Sequence, residues 1–165
     1  MADDLVFEEP ERITFVTRGA TGQRTFLLQA REGPVTCTLK LEKTQVAAIA
    51  QYFGKLLADL PRPGHLPEDV ELEEPAEPAW VVGSIGISFE AELDRFLLVA
   101  EEAVGEDEVG ATARLRLTRE QAAALAIRGT QLVEAGRPPC PLCGYPLDPR
   151  GHACPRTNGH RPPLT

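Results

Sequence analysis

The chain has 165 residues, of which 42% are hydrophobic, so it can bury one core and has room for one domain with a short appendage. Its formal net charge of −8 is uneven, because residues 137–165 carry four arginines against one aspartate, which leaves about −11 on residues 1–136. This acidity argues against broad binding of residues 1–136 to phosphate backbones, which requires clustered lysine and arginine.

No apolar run approaches the roughly 20 residues that a membrane-spanning helix needs. The start, Met1-Ala2-Asp3-Asp4, is acidic where a secretory signal is basic. We therefore predict a cytoplasmic protein without a membrane partner. In a reducing compartment, closely spaced cysteines are better interpreted as metal ligands than as disulfides.

The first half of the chain predicts three strands and a helix. The strands are expected at 13–18, 24–30 and 35–41, separated by turns rich in glycine. Apolar residues at spacings of three and four then predict a helix over about 42–60, which Pro61 and Pro63 stop. Within the third strand, the alternation of Val35, Cys37, Leu39 and Leu41 indicates that Cys37 is a small buried hydrophobe and not a reactive thiol.

The second half predicts the same order of elements. Strands are expected near 79–89, 95–101 and 111–117, and the helix that follows opens with Thr118 and Gln121 in the pattern of a capping box. Gly136 is the expected left-handed stop of that helix. Residues 63–78, between the halves, are acidic and rich in proline, and we expect them to form a surface linker that does not pack.

A shift of 76 positions aligns residues 39–60 with 115–136, and seven positions are then identical: Leu39, Leu41, Gln45, Ala47, Ala48, Ala50 and Leu56. This match predicts an internal duplication with repeats at about 10–62 and 79–136. The predicted fold class is α+β, in which two repeated βββα units form a pseudo-twofold antiparallel sheet body over residues 1–136.

The tail, residues 137–165, predicts a structural zinc site in a knuckle or ribbon. Cys140, Cys143 and Cys154 supply three thiolates, and His152 is favoured over His160 as the fourth ligand because Gly151 frees its backbone. Four protein ligands leave no position for a reactive water, so we expect the zinc to be structural. The proline-rich tail has few apolar side chains and needs the metal to become ordered.

A weaker hypothesis concerns anions. The turn containing Gly19 and Gly22, together with Arg24, is predicted as a possible anion site, and plain hairpin geometry predicts the same glycines. Arg95 occupies the position equivalent to Arg24 in the second half, so the two guanidinium groups are expected to face each other across the pseudo-twofold axis.

Several stretches of this chain resemble the actinobacterial domain-of-unknown-function family 3090: residues 24–30, 82–85, 117–122, 136–144 and 148–159. The resemblance implies a small cytoplasmic protein, often encoded near a histidine phosphatase and a kinase-like protein, and hence a phosphate-linked pathway. The family more often has Tyr at the position of His160, which supports His152 as the metal ligand. Ser88-Phe89-Glu90 replaces an expected Trp-Asp pair.

No set of nucleophile, base and orienting group is recognisable in the chain. The first hypothesis is therefore a non-enzymatic binding or adaptor module that contacts a protein partner through a groove between the halves or through the zinc tail. The alternative is an enzyme or sensor for a phosphorylated small molecule that uses Arg24 and Arg95. A second alternative is nucleic-acid contact through the basic tail.

Overall fold

The computed structural model describes residues 4–20, 22–68 and 71–135, and these form an α+β fold. Within them the chain forms seven strands and two helices in this order: β1 (Leu5–Phe7), β2 (Arg12–Arg18), β3 (Thr25–Glu32), β4 (Val35–Leu41), α1 (Lys43–Ala58), β5 (Trp80–Glu90), β6 (Arg95–Glu102), β7 (Thr112–Leu117) and α2 (Arg119–Glu134). After β1, the order strand, strand, strand, helix occurs twice, as the two-unit interpretation requires. Neither described helix has the length and apolarity needed to cross a membrane.

The strands form one mixed sheet in the order β1-β7-β6-β5-β4-β3-β2. The prediction of a fully antiparallel sheet was wrong, because β4 pairs with β5 in parallel and β1 pairs with β7 in parallel. The parallel join of β4 and β5 is possible because α1 and the linker supply a long crossover connection. β1 was not predicted, since three residues are too few to show alternation. The duplication itself stays a prediction.

The segment from Leu5 to Arg18 holds the two edges of the sheet together. Its first part, β1, pairs with β7, and its second part, β2, pairs with β3 at the opposite edge. Seven strands in a flat sheet would separate these edges by about 29 Å. The four residues 8–11 between β1 and β2 allow at most about 18 Å from Phe7 to Arg12. The sheet must therefore be strongly curved.

The core fills the face of the curved sheet on which both helices pack. Alternate residues of each long strand supply it, and the pairs Phe15–Leu28, Leu28–Leu39 and Leu98–Leu115 lie side by side in register. From α1, Phe53 packs edge-on against Phe96 of β6 with ring centroids 5.3 Å apart. Cys37 is part of this core, which confirms that it is a buried residue.

The helix α2 begins as predicted. The Thr118 side chain accepts a hydrogen bond from the Gln121 N–H at 3.0 Å, and the Gln121 Oε1 accepts one from the Thr118 N–H at 3.0 Å. This reciprocal pair satisfies two backbone donors at the start of the helix. Farther along α2, Gly129 packs directly against Ala50 of α1 and Phe15 of β2.

The linker between the halves packs against the sheet, contrary to the prediction. Gln29, in the middle of β3, is fully buried on the face opposite the helices. Its Nε2 donates to the Glu73 carbonyl at 2.9 Å and its Oε1 accepts from the Glu73 N–H at 2.8 Å. The same amide also bonds Thr38 Oγ1 at 3.0 Å and Arg12 Nη1 at 3.2 Å. A charged, proline-rich segment packs here because one buried amide hydrogen-bonds both the N–H and the C=O of Glu73.

Ion pairs add to this attachment. The Glu73 carboxylate lies 3.5 Å from the Nε of Arg12 and 3.5 Å from the Nε of Arg31. Arg18, at the end of β2, pairs with Glu74. Acidic linker residues therefore meet arginines of β2 and β3, which explains part of the linker's composition.

Replacement of Gln29 by Met should lower the free energy of unfolding by about 2 to 3 kcal/mol. The substitution preserves the side-chain volume but leaves the Glu73 N–H and C=O without their partner in a buried position. Urea denaturation measures the loss. Gln131→Met, at an exposed position of α2, is the control and should change stability by less than about 0.5 kcal/mol. A loss below about 1 kcal/mol for Gln29→Met would show that the linker does not depend on this amide.

Two helical glycines should respond to alanine in opposite directions. A Cβ at Gly54 of α1 meets no atom within 4 Å, so Gly54→Ala should stabilise the protein by about 0.5 to 1 kcal/mol. A Cβ at Gly129 of α2 lies 3.3 Å from Ala50 Cβ and from two ring carbons of the buried Phe15. Gly129→Ala should therefore destabilise by about 1 kcal/mol. Thermal or urea denaturation compares the variants, and equal effects would contradict the close helix packing.

Candidate functional site

A backbone edge of the sheet loses its strand partner where β4 and β5 separate. The two strands pair at Leu39 with Trp80 and at Lys40 with Val81. From Val82 to Glu90, β5 continues alongside β6 on its other side. Among the described residues, no strand pairs with the β4-facing edge of β5 over residues 82–90. Alternate N–H and C=O groups along this edge are therefore available for hydrogen bonds.

The helix α1 runs beside this open edge, and a cavity of about 480 Å³ lies between them. We call this cavity the α1–β5 groove. The helix lines it with Gln45, Ala48, Ile49 and Tyr52, and the strand lines it with Gly83, Ile85, Gly86 and Ile87. Its volume is within the range of ligand-binding clefts.

Gln45 fixes the closed end of the groove. Its Nε2 donates to the carbonyl oxygens of Val82 at 3.1 Å and Gly83 at 3.2 Å, and its Oε1 accepts from the Glu42 N–H at 2.8 Å. The register between β5 and β6 shifts between Val82 and Ser84. A Cβ at Gly83 would lie 2.9 Å from Ala103 Cα, so this irregularity requires glycine. The position of β5 relative to α1 is therefore fixed where the unpaired edge begins.

The lining of the groove is uncharged. Ile49, Ile85 and Ile87 give it apolar walls, and Tyr52, which is 47% exposed, places its ring at the rim. A charged side chain bound here would lose water without gaining a counter-charge. The groove therefore suits an extended, uncharged segment with apolar side chains.

The edge also lacks the residues that usually prevent strands from pairing between molecules. From Val82 to Phe89 the sequence is VGSIGISF, with no charged residue and no proline. Exposed edges in monomeric proteins are commonly protected by lysine, proline or a covering element. Charged residues and proline, two of the usual forms of protection, are therefore absent from this stretch of β5.

The second half of the molecule covers the corresponding edge with a helix side chain. Gln121 lies 76 positions after Gln45, and its Nε2 donates to the Pro10 carbonyl at 2.7 Å. Arg128 lies 76 positions after Tyr52, and its Nε donates to the Phe15 carbonyl of β2 at 3.3 Å. Tyr52 makes no hydrogen bond to a described residue. The two helices therefore differ: Arg128 of α2 bonds β2 near the middle of that strand, whereas the hydrogen bonds of α1 to β5 among the described residues lie at Val82 and Gly83.

The residues of the predicted anion site line two different cavities. Gly22, which has a positive φ of 91°, and Arg24 line a cavity of about 390 Å³ with the start of α1, and Gly19, also at a positive φ of 97°, belongs to the same turn. Arg95 lines a cavity of about 620 Å³ with Arg116 and four glutamates. Arg24 and Arg95 do not share a cavity, and an anion site at either of them stays a prediction.

The acidic surroundings of Arg95 come from chain segments that sequence spacing did not relate. Glu8 and Glu11 reach this cavity because the curved sheet brings residues 8–11 beside the β5–β6 hairpin. Arg116 is held there between Glu8 Oε2 at 2.5 Å and Glu90 Oε1 at 2.8 Å. An anion would meet four carboxylates in this cavity.

The predicted zinc ligands Cys140, Cys143, His152 and Cys154 lie outside the described residues. Among the residues that the structure describes, no group of three or more His, Cys, Asp or Glu side chains is placed to hold a metal ion. The described Cys37 is buried, and burial raises the pKa of its thiol to about 11. At neutral pH it is therefore a protonated core residue and not a nucleophile.

The groove residues gave no signal as a site in the sequence. Ile49 matched the apolar stripe of a helix, and Gly83 and Gly86 are ordinary interruptions of a strand. The one available clue was the length of β5 at 11 residues, against seven for β4, because the longer strand must extend beyond its neighbour.

Comparison with known proteins gives one match. A family model described as "Protein of unknown function (DUF3090)" matches residues 5–154. No curated protein and no solved structure matches the chain.

Proposed function

Because the chain belongs to the DUF3090 family of proteins of unknown function, we propose its function from its own geometry: it is a non-enzymatic binding module that holds an extended segment of a protein partner in the α1–β5 groove. The observation that carries this proposal is the separation of β4 from β5 after Val81, which leaves the edge of β5 unpaired beside α1.

The binding mode is addition of a strand. The bound segment takes the position beside β5 that β4 leaves, and its backbone hydrogen-bonds to residues 83–88. This mode uses main-chain hydrogen bonds for affinity and side-chain pockets for specificity. Alternate side chains of the segment then face Ile49, Ile85 and Ile87, which favour aliphatic residues.

The two halves of the chain support the proposal. If they derive from one duplicated unit, as the identities at a spacing of 76 predict, both ancestral edges had the same environment. Arg128 now closes the edge of β2, and Tyr52 leaves the edge of β5 accessible. A single retained groove gives the module one binding site.

A charge placed in the groove should abolish binding. Ala48 is exposed and lines the groove, so Ala48→Glu adds a carboxylate that faces the incoming segment without disturbing the core. We expect peptides selected from a random display library by the wild-type chain to be uncharged and apolar at alternate positions. Ala48→Glu should weaken these peptides at least about tenfold, or about 1.4 kcal/mol.

The matched control is Gln51→Glu, which makes the same charge change at an exposed position of α1 outside the groove. It should leave peptide affinity within about twofold, and bound peptide should slow amide hydrogen exchange in residues 83–88. Equal binding to wild-type and Ala48→Glu chains would overturn the proposal. So would a dimer in sedimentation that Ala48→Glu dissociates, since a second copy would then occupy the groove.

We also propose that Cys140, Cys143, His152 and Cys154 hold one structural zinc. The support is the spacing of three thiols and an imidazole within 15 positions and the shortage of large apolar residues in the tail. In this interpretation the tail is a separate small unit appended to the binding module, and its metal has no catalytic task.

Metal analysis of untagged, reduced protein should find about one zinc per chain. Cys140→Ser and His152→Ala should each lower the zinc content well below one equivalent, whereas His160→Ala should retain it. Retention by His152→Ala with loss by His160→Ala would reassign the fourth ligand. Wild-type protein with far less than one equivalent would contradict the site.

A further inference from the structure

A second cavity concentrates positive charge in an otherwise acidic chain. It measures about 390 Å³ and lies between the β2–β3 turn, the junction of β4 with α1, and the end of α2. Arg24, Lys40 and Lys43 contribute cationic side chains to its lining, and Glu42 contributes the one carboxylate. The chain has three lysines in all, and two of them line this cavity.

The lysine charges are not neutralised locally. Neither Lys40 nor Lys43 forms an ion pair within the part of the chain that the structure describes, although the chain as a whole has a net charge of −8. Several of the arginines, by contrast, are paired with glutamate, as Arg31 and Arg116 are. The ammonium groups of Lys40 and Lys43 are therefore available to an anion that enters this cavity.

The floor of the cavity is apolar. Phe26, Leu41 and Leu132 are buried and belong to its lining. An apolar floor keeps water and field-screening groups away from one side of a bound ion, which strengthens its attraction to the cations on the other side. Gly22, at a φ of 91°, forms the rim without a side chain that would obstruct entry.

We propose that this cavity binds a small phosphate-bearing molecule, with Lys40 and Lys43 as the principal ligands and Arg24 beside them. The two lysine ammonium groups suit an anion with two or more charges and several oxygens, such as a phosphate monoester or a diphosphate. Polymeric nucleic acid does not fit, because the surface of residues 1–136 is acidic beyond this cavity. The cavity shares no lining residue with the α1–β5 groove, so this site stands independently of the proposed function.

The site also revises the sequence-based anion hypothesis. Gly22 and Arg24 were part of that hypothesis, but the lysines replace Arg95, which lies in the acidic cavity. The sequence did not indicate Lys40 and Lys43 as anion ligands, because one lies near the end of a strand and the other at the start of a helix. They reach Arg24 only through the pairing of β3 with β4.

The test uses pyrophosphate and inorganic phosphate as probes in calorimetric titrations of the full chain at constant ionic strength. We expect saturable binding with one site per chain, tighter for pyrophosphate. The double variant Lys40→Gln/Lys43→Gln should weaken pyrophosphate at least about tenfold. Lys40 and Lys43 are both exposed, and melting temperatures check that the variants stay folded.

The third lysine supplies a matched control. Lys55 is exposed in the last turn of α1 and does not line the cavity, so Lys55→Gln removes one lysine charge from the helix that carries Lys43. It should leave pyrophosphate affinity within about twofold. An equal loss in Lys55→Gln, or no saturable binding to the wild-type chain at millimolar pyrophosphate, would overturn the site. Neither result would affect peptide binding in the α1–β5 groove.

Discussion

One short segment determines the shape of this molecule. Residues 5–18 pair with β7 through their first part and with β3 through their second part, although these strands lie at opposite sides of the sheet. The chain between the two pairings is too short to span a flat sheet, so the strands must curve. The curvature then brings α2, which follows β7 in sequence, against β2. The cavity around Arg95 and Arg116 exists for the same reason.

In both halves a helix lies beside the edge of a strand from the other half, but the contacts between helix and strand differ. In each half a glutamine near the start of the helix bonds a carbonyl of the neighbouring strand: Gln45 for β5 and Gln121 for the chain before β2. About two turns later the halves diverge, since Arg128 bonds a carbonyl of β2, whereas Tyr52 makes no hydrogen bond to a described residue. The helices therefore contact their neighbouring strands differently at this position: Arg128 bonds the edge of β2, and Tyr52 lines the α1–β5 groove.

The sequence predicted what depends on near neighbours along the chain. Strand-like stretches between turn residues located the six long strands, spacing of three and four located the first helix, and Thr118 with Gln121 located the start of the second. It could not predict what depends on distant residues. The partners of Gln29 lie 9, 17 and 44 positions away, and nothing in their local patterns relates them. The groove was missed because unpaired backbone, not a reactive side chain, defines it.

The linker attachment has an evolutionary consequence. Gln29 bonds the peptide N–H and C=O of residue 73 and makes no contact there that requires a particular side chain. The hydrogen bonds of this clamp fix the backbone of residue 73, and the Glu73 carboxylate adds ion pairs with Arg12 and Arg31. Any other residue at position 73 would lose the ion pairs, and proline would also lose the N–H that Gln29 binds, so the linker is least constrained away from this residue.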